Sequence, residues 1–170
     1  MKNILIGNLI SAAASVFLAV SCVVNDKRKA YLCQLLESAL LVVSSVFFFA
    51  WVRLITQVLA VARNALVIQD KFTVRLMVIF TVVGTAVGLA INTEGWLGLL
   101  PILATIQLTV CNYYCKSLKA TKWGFLVNVI LWGVYSFLIL DFAYGVANAI
   151  IGVAGAISLW RMGKGKSSDQ

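Results

Sequence analysis

Residues 73–92 read TVRLMVIFTVVGTAVGLAIN, twenty positions with no charge after Arg75 and no proline. At about 1.5 Å of rise per residue a helix of this length reaches ~30 Å, the thickness of a bilayer's hydrocarbon core. The run therefore predicts a membrane span. Blocks of similar length flank it, 4–72 and 95–162, and each divides into three apolar segments. A block with an odd number of spans ends on the face opposite its start. A second block can repeat the first in parallel only if one further helix crosses back, and 73–92 is that helix. The expected fold is an all-α membrane protein of seven transmembrane helices in a 3+1+3 arrangement of two parallel triple-helix repeats. Residues 1–170 form one integral membrane domain: first repeat 4–72, linker helix 73–92, second repeat 95–162 and a cytoplasmic tail 163–170.

Composition agrees. The chain is 62% apolar and 12% charged, whereas a soluble domain carries about 25% charged residues. The net charge of +8 raises nucleic acid as a partner, but the basic residues sit in short clusters between apolar runs, as topology determinants do. The lipid bilayer is the partner this pattern fits, and nucleic-acid binding is not expected. The predicted spans are 4–24, 30–50, 54–69, 73–92, 96–115, 122–140 and 143–160. The third is short and contains Arg63, so a six-span chain with a re-entrant hairpin remains an alternative. When the loops alternate between two faces, one face receives Lys27, Arg28, Lys29, Lys71, Arg75, Lys116, Lys119, Lys122, Arg161, Lys164 and Lys166, and the other Lys2 and Arg53. That is 11 against 2, which predicts an outside N-terminus and a cytoplasmic C-terminus in a bacterial inner membrane.

The N-terminal run ending Ala19-Val20-Ser21-Cys22 has the look of a secretory signal with a lipoprotein-type cysteine. The cluster Asn25-Asp26-Lys27-Arg28-Lys29 follows at once and wants the cytoplasm, so the segment is read as a retained span. Cys22, Cys33, Cys111 and Cys115 lie in or at the ends of spans, and the chain has no histidine. A zinc set is thereby incomplete, the thiols read as small buried hydrophobes, and no cofactor or metal is expected. No Ser-His or Cys-His dyad can form and no glycine-rich phosphate loop occurs, so an enzyme is not expected.

A shift of 91 residues places Gly7 on Gly98, Ala13 on Ala104, Arg28 on Lys119, Glu37 on Asn128, Ser45 on Ser136 and Gln57 on Asn148, with the outer turns at Ala50 and Asp141 also aligned. Small residues at Gly7, Ser11, Ser15 and Ala19, and at Gly84 and Gly88, mark faces where helices approach closely. Ionisable groups within the hydrocarbon region cost roughly 2.5–3.5 kcal/mol unless they face protein or water, so they point to the interior. Glu37 and Arg63 are each thirteen residues from the Ala50 turn. Equal spacing predicts an intramembrane ion pair, either an anion-binding or gating element or a structural salt bridge. Gln57, Gln107 and Asn148 can line a path for a neutral polar solute or serve as interhelical glue worth about 0.6 kcal/mol each. Trp132 and Tyr135 can stack on a ring-shaped ligand or fill a packing gap. Trp51, Trp96, Trp123 and Trp160 fall at segment ends as interface anchors.

The stretches RLMVIFTVVGTAVGLA (75–90), GLLPILATI (98–106) and LWRM (159–162), with Arg63 and Trp123, resemble the YgjV family of bacterial inner-membrane proteins over nearly the whole chain. That family is similar in turn to the SWEET and PQ-loop transporters, which implies triple-helix repeats with a solute path between them. The positions that resemble the sugar-site residues of SWEET transporters are Gln57, Asn148 and Trp132. The chain departs from these patterns in lacking a Pro-Gln pair, in having Pro101 as its only proline, and in carrying Ala60 where YgjV proteins have an asparagine. The function expected is a facilitator or uniporter for a small polar solute; the alternative is a non-transporting membrane scaffold or modulator.

Overall fold

The computed structural model describes residues 2–24, 27–114 and 118–164; of residues 22, 23, 27, 118, 119, 121, 158 and 161–164 only the backbone is described. Seven helices account for nearly all of these residues: α1 (Lys2–Val23), α2 (Lys27–Phe47), α3 (Trp51–Ile68), α4 (Val74–Ala90), α5 (Leu99–Tyr114), α6 (Leu118–Leu138) and α7 (Phe142–Lys164). No strand occurs among the described residues. By length and composition α1, α2 and α3 are each able to cross a membrane, while among the residues whose side chains are described the apolar runs of α4 to α7 are 17 residues or shorter. The third segment, despite containing Arg63, is a continuous helix of 18 residues and so reaches ~27 Å. The linker helix is shorter than its apolar run: Thr73 caps it by accepting from the Leu76 N–H at 3.4 Å, and 17 residues follow.

Each helix packs on few others. α1 lies against α2 and α7, α2 against α3, α3 against α4 and α5, α5 against α4 and α6, and α6 against α7. Six helices thus close a ring in the order α1, α2, α3, α5, α6, α7, with α4 outside it against α3 and α5. Glycine permits that outer contact. A Cβ on Gly88 would lie 2.8 Å from Ile102 of α5, and one on Gly84 would lie 3.0 Å from Leu59 of α3. On α1 the close-packed face runs through Gly7, Ser11, Ala14, Leu18 and Ser21, all buried. The expected four-residue stripe holds at Gly7 and Ser11 and then drifts, leaving Ala19 exposed, because a straight helix advances 3.6 residues per turn rather than four.

The 91-residue spacing recurs in the backbone. α2 starts at 27 and ends at 47, α6 starts at 118 and ends at 138, and the starts of α3 and α7 at 51 and 142 differ by the same amount. Both hairpins turn through a residue of positive φ, Phe49 at 55° and Leu140 at 66°. The next N–H bonds back to the carbonyl five residues earlier, Ala50 to Ser45 at 3.0 Å and Asp141 to Ser136 at 2.9 Å. This is a Schellman termination, built at both places without the usual glycine. The first helices match less well: α1 holds Gly7 inside it, whereas Gly98 precedes α5.

Polarity is inverted relative to a soluble bundle. Buried positions include Glu37, Arg53, Gln57, Arg63, Asn64, Asn128, Asp141 and Asn148, while valine, leucine and isoleucine side chains are exposed along every helix. Trp51, Trp96, Trp123 and Trp160 are exposed near helix ends, as expected of interface anchors, and Trp132 is buried. Among the described residues Cys33 and Cys111 form no disulfide, and Cys111 is buried; Cys115 and the side chain of Cys22 lie outside the described residues. Of the basic residues assigned to one face, Arg28, Lys29, Lys71 and Arg75 are exposed and Lys122 is half-buried. Lys116, Lys166 and the side chains of Lys27, Lys119, Arg161 and Lys164 lie outside the described residues.

The α4 seam provides a test. Replacing Gly88 by valine forces branched bulk against Ile102, and overpacking of this kind costs about 1–3 kcal/mol. The purified variant should melt at lower temperature than the parent, while Val82→Leu on the exposed side of α4 should leave melting unchanged.

Candidate functional site in the helix ring

α3 brings two arginines and two amides toward the interior because its polar residues recur at helical spacing. Arg53, Gln57, Ala60, Arg63 and Asn64 share the buried face. Six of the seven helices meet around a cavity of about 50 Å³: Leu18 from α1; Gln34, Glu37 and Ser38 from α2; Gln57, Ala60, Arg63 and Asn64 from α3; Ala104, Thr105 and Leu108 from α5; Phe125, Asn128, Val129 and Trp132 from α6; Tyr144 and Asn148 from α7. α4 contributes nothing. A volume of this size holds a few water molecules, since one needs about 10–15 Å³ of such space.

At the end of the ring marked by the Ala50 and Asp141 turns lies a buried charge layer. Arg53 Nη1 donates to Asp141 Oδ2 at 2.7 Å, and both side chains are 0% exposed. Ser11 donates to the same oxygen at 2.7 Å and shares a 2.7 Å hydrogen bond with Ser44, which also donates to the Gly7 carbonyl at 3.1 Å. Asp141 Oδ1 accepts the Tyr144 N–H at 3.2 Å, so this carboxylate also caps the N-terminus of α7. The Arg53 guanidinium lies 5.4 Å from the centre of the Tyr144 ring and 5.8 Å from that of Phe48, within range of cation–π attraction. Its Nε, also buried, has no partner. Side chains from α1, α2 and α3 thus converge on the residue that opens α7. Arg53 is therefore no loop cation, as the charge count had it, and of the two basic residues on that face only Lys2 is exposed.

Glu37 and Arg63 both border the cavity but do not form the expected pair. The Glu37 carboxylate accepts a short hydrogen bond from the Tyr144 hydroxyl. Arg63 donates through Nη1 to Thr109 Oγ1 at 3.0 Å, and through Nε and Nη2 to Asn64 Oδ1 at 3.4 Å each. Among the described residues Arg53 and Asp141 form the only salt bridge. Spacing from a turn fixes depth along a helix but not azimuth, and the two side chains turn toward different neighbours, α7 for Glu37 and α5 for Arg63.

The predicted pathway residues divide. Gln57, Asn148 and Trp132 border the cavity. Asn148 Nδ2 donates to the Tyr144 carbonyl at 2.8 Å, while the Gln57 amide makes no side-chain hydrogen bond among the described residues. Gln107 and Tyr135 do not border it. Gln107 Nε2 donates to the Gly124 carbonyl at 2.8 Å and its Oε1 is buried without a partner. It joins α5 to α6. Tyr135 donates its hydroxyl to Glu94 Oε2 at 2.8 Å and packs edge-on to Trp132 at 6.0 Å, tying α6 to the loop before α5.

A model of the family Imp-YgjV, described as bacterial inner membrane protein, matches residues 5–166. The chain belongs to this family. It is a bacterial inner membrane protein. No curated protein and no solved structure matches it.

Sequence reasoning missed Tyr144, Asn64 and the pairing of Arg53 with Asp141. The 91-residue spacing carried the signal for Tyr144, since it puts that residue at the position of Arg53. It also puts Asp141 on Ala50, the residue before α3, which has no capping side chain.

Removing one partner of a buried pair leaves the other charge uncompensated, at a cost of about 3–5 kcal/mol. Arg53→Ala and Asp141→Ala should each lower the melting temperature and the yield of folded protein sharply. The double replacement Arg53→Met with Asp141→Leu should recover most of that loss, as read by melting in the same detergent.

Proposed function

We propose that this inner-membrane protein is a facilitator for a small polar solute, built as two parallel triple-helix units, α1–α3 and α5–α7, joined by α4. The observation that carries the reading is the polar cavity lined by all six ring helices and by no residue of α4. Proteins whose exteriors face lipid place polar residues inside chiefly where a pathway or a buried network needs them. The matching helix boundaries and turns at a spacing of 91 residues support the repeat. The solute would contact Gln57, Asn148 and Trp132, with Gln107 and Tyr135 holding α6 in place. The buried Arg53 and Asp141 layer would close the outer end, and a small cavity is what an occluded state of such a protein would hold. The N-terminus is proposed to face the outside and the C-terminus the cytoplasm.

The scaffold reading has one observation in its favour, the same small volume, because a polar core that merely holds helices together needs no larger space. Flux decides between them. In vesicles carrying the reconstituted full chain, at least one solute from a panel of glycerol, urea and small amino acids should equilibrate faster than in empty vesicles. Filling the cavity with Asn148→Leu should slow it by about tenfold, a barrier change of about 1.4 kcal/mol, and Val153→Leu on the exposed side of α7 should not. Vesicles as tight as empty ones to the whole panel would favour the scaffold.

Orientation is tested separately. A reporter fused after Gln170 should be active in the cytoplasm, and one inserted near Glu94 should report the outside.

A further inference from the structure

The cavity is bordered by two residues of opposite charge type that form no direct ion pair. Glu37 enters from α2 and is held by a phenol, and Arg63 enters from α3 and is held by a threonine and an asparagine. Both are buried and border the same space, yet no N···O distance between them is within 4.0 Å. A buried charge whose direct hydrogen-bond partners are all neutral is less well compensated than one in a direct ion pair. Beside them the Gln57 amide, also buried, makes no side-chain hydrogen bond among the described residues. The site has unspent donors and acceptors of both signs.

Solute classes can be ranked by what they leave unsatisfied. A neutral polar molecule offers neither residue a counter-charge. An anion suits Arg63 and is opposed by Glu37, and a cation suits Glu37 and is opposed by Arg63. A zwitterion answers both, with charge-assisted hydrogen bonds at each end. Resting on the reading of the cavity as a solute site, we propose that it binds a small zwitterionic amino acid. The ammonium lies toward Glu37, the carboxylate toward Arg63, and Gln57 supplies a neutral contact. About 50 Å³ limits the occupant of this conformation to a molecule near the size of glycine, since it is space for only a few waters.

The test uses the full chain purified in lipid nanodiscs, titrated calorimetrically with glycine, glycerol, acetate and methylammonium in separate runs. Glycine should bind at least about tenfold more tightly than each of the other three. Glu37→Gln, which keeps an acceptor for Tyr144, and Arg63→Gln should each weaken glycine by about tenfold or more, a change of about 1.4 kcal/mol. Equal or tighter binding of any of the other three overturns the proposal. So does the absence of binding by all four, or glycine affinity that survives both substitutions. Selectivity of the unmodified chain decides even if a variant fails to fold. Vesicle flux separates this proposal from the broader one. Glycerol flux without glycine binding keeps the facilitator and removes the zwitterion site; glycine binding without flux of any solute keeps the site and removes transport.

Discussion

The ion pair between Arg53 and Asp141 is the contact on which the ring closes at one end. Neither partner reaches solvent, so each depends on the other, and Ser11, Ser44 and the N–H of Tyr144 complete the shell around the carboxylate. The four helices concerned meet across the seam between α1 and α7, one of the two places where the backbones of the first three helices pack closely against those of the last three. The other is α3 against α5, where Arg63 reaches Thr109. α3 thus sends one arginine to each junction, Arg53 to the first and Arg63 to the second. Opposed charges in low dielectric gain from good geometry and lose heavily when separated, so these contacts favour one arrangement of the helices over near alternatives.

The inverted polarity follows from the solvent. Between helices immersed in lipid there is no hydrophobic gain from bringing apolar faces together, so association rests on close packing and internal hydrogen bonds. Both occur here. Gly84 and Gly88 allow close packing of α4, and the hydroxyl and amide contacts of Ser11, Asn128 and Gln107 bond across helices, Asn128 reaching the Ala104 carbonyl at 2.7 Å. The cavity survives in this packing because Glu37, Arg63, Asn128 and Asn148 are each held by a hydrogen-bond partner at its walls. Tyr144 is engaged on three sides: its hydroxyl to Glu37, its N–H to Asp141 and its ring beside Arg53.

Much of the fold was legible because apolar length and turn position depend on local sequence. Seven helices, the membrane setting and the four terminal tryptophans follow from that information alone, as does the spacing that aligns Phe49 with Leu140. The site was legible in part. Glu37, Gln57, Arg63, Trp132 and Asn148 stood out as polar or aromatic residues inside apolar runs, and all of them border the cavity. What escaped was azimuth. Whether Glu37 turns to Arg63 or to Tyr144 depends on how three helices are rotated about their axes, which no spacing along one chain determines. Arg53 escaped for a different reason: near a helix end a cation reads as a loop residue, and only the arrival of Asp141 from the opposite half of the chain makes its burial tolerable.

α4 lines no part of the cavity, yet in the proposed arrangement of two triple-helix units it sets which ends of the two halves come together. In that arrangement successive helices reverse direction, so cutting this one helix from the chain would invert every helix after it. Asp141 would then open α7 at the far end of the bundle, a helix length away from Arg53. Both charges would be buried without a counter-ion, although neither residue had been touched. In the proposed arrangement the relative orientation of the two halves is therefore set by a segment that lines none of the cavity between them.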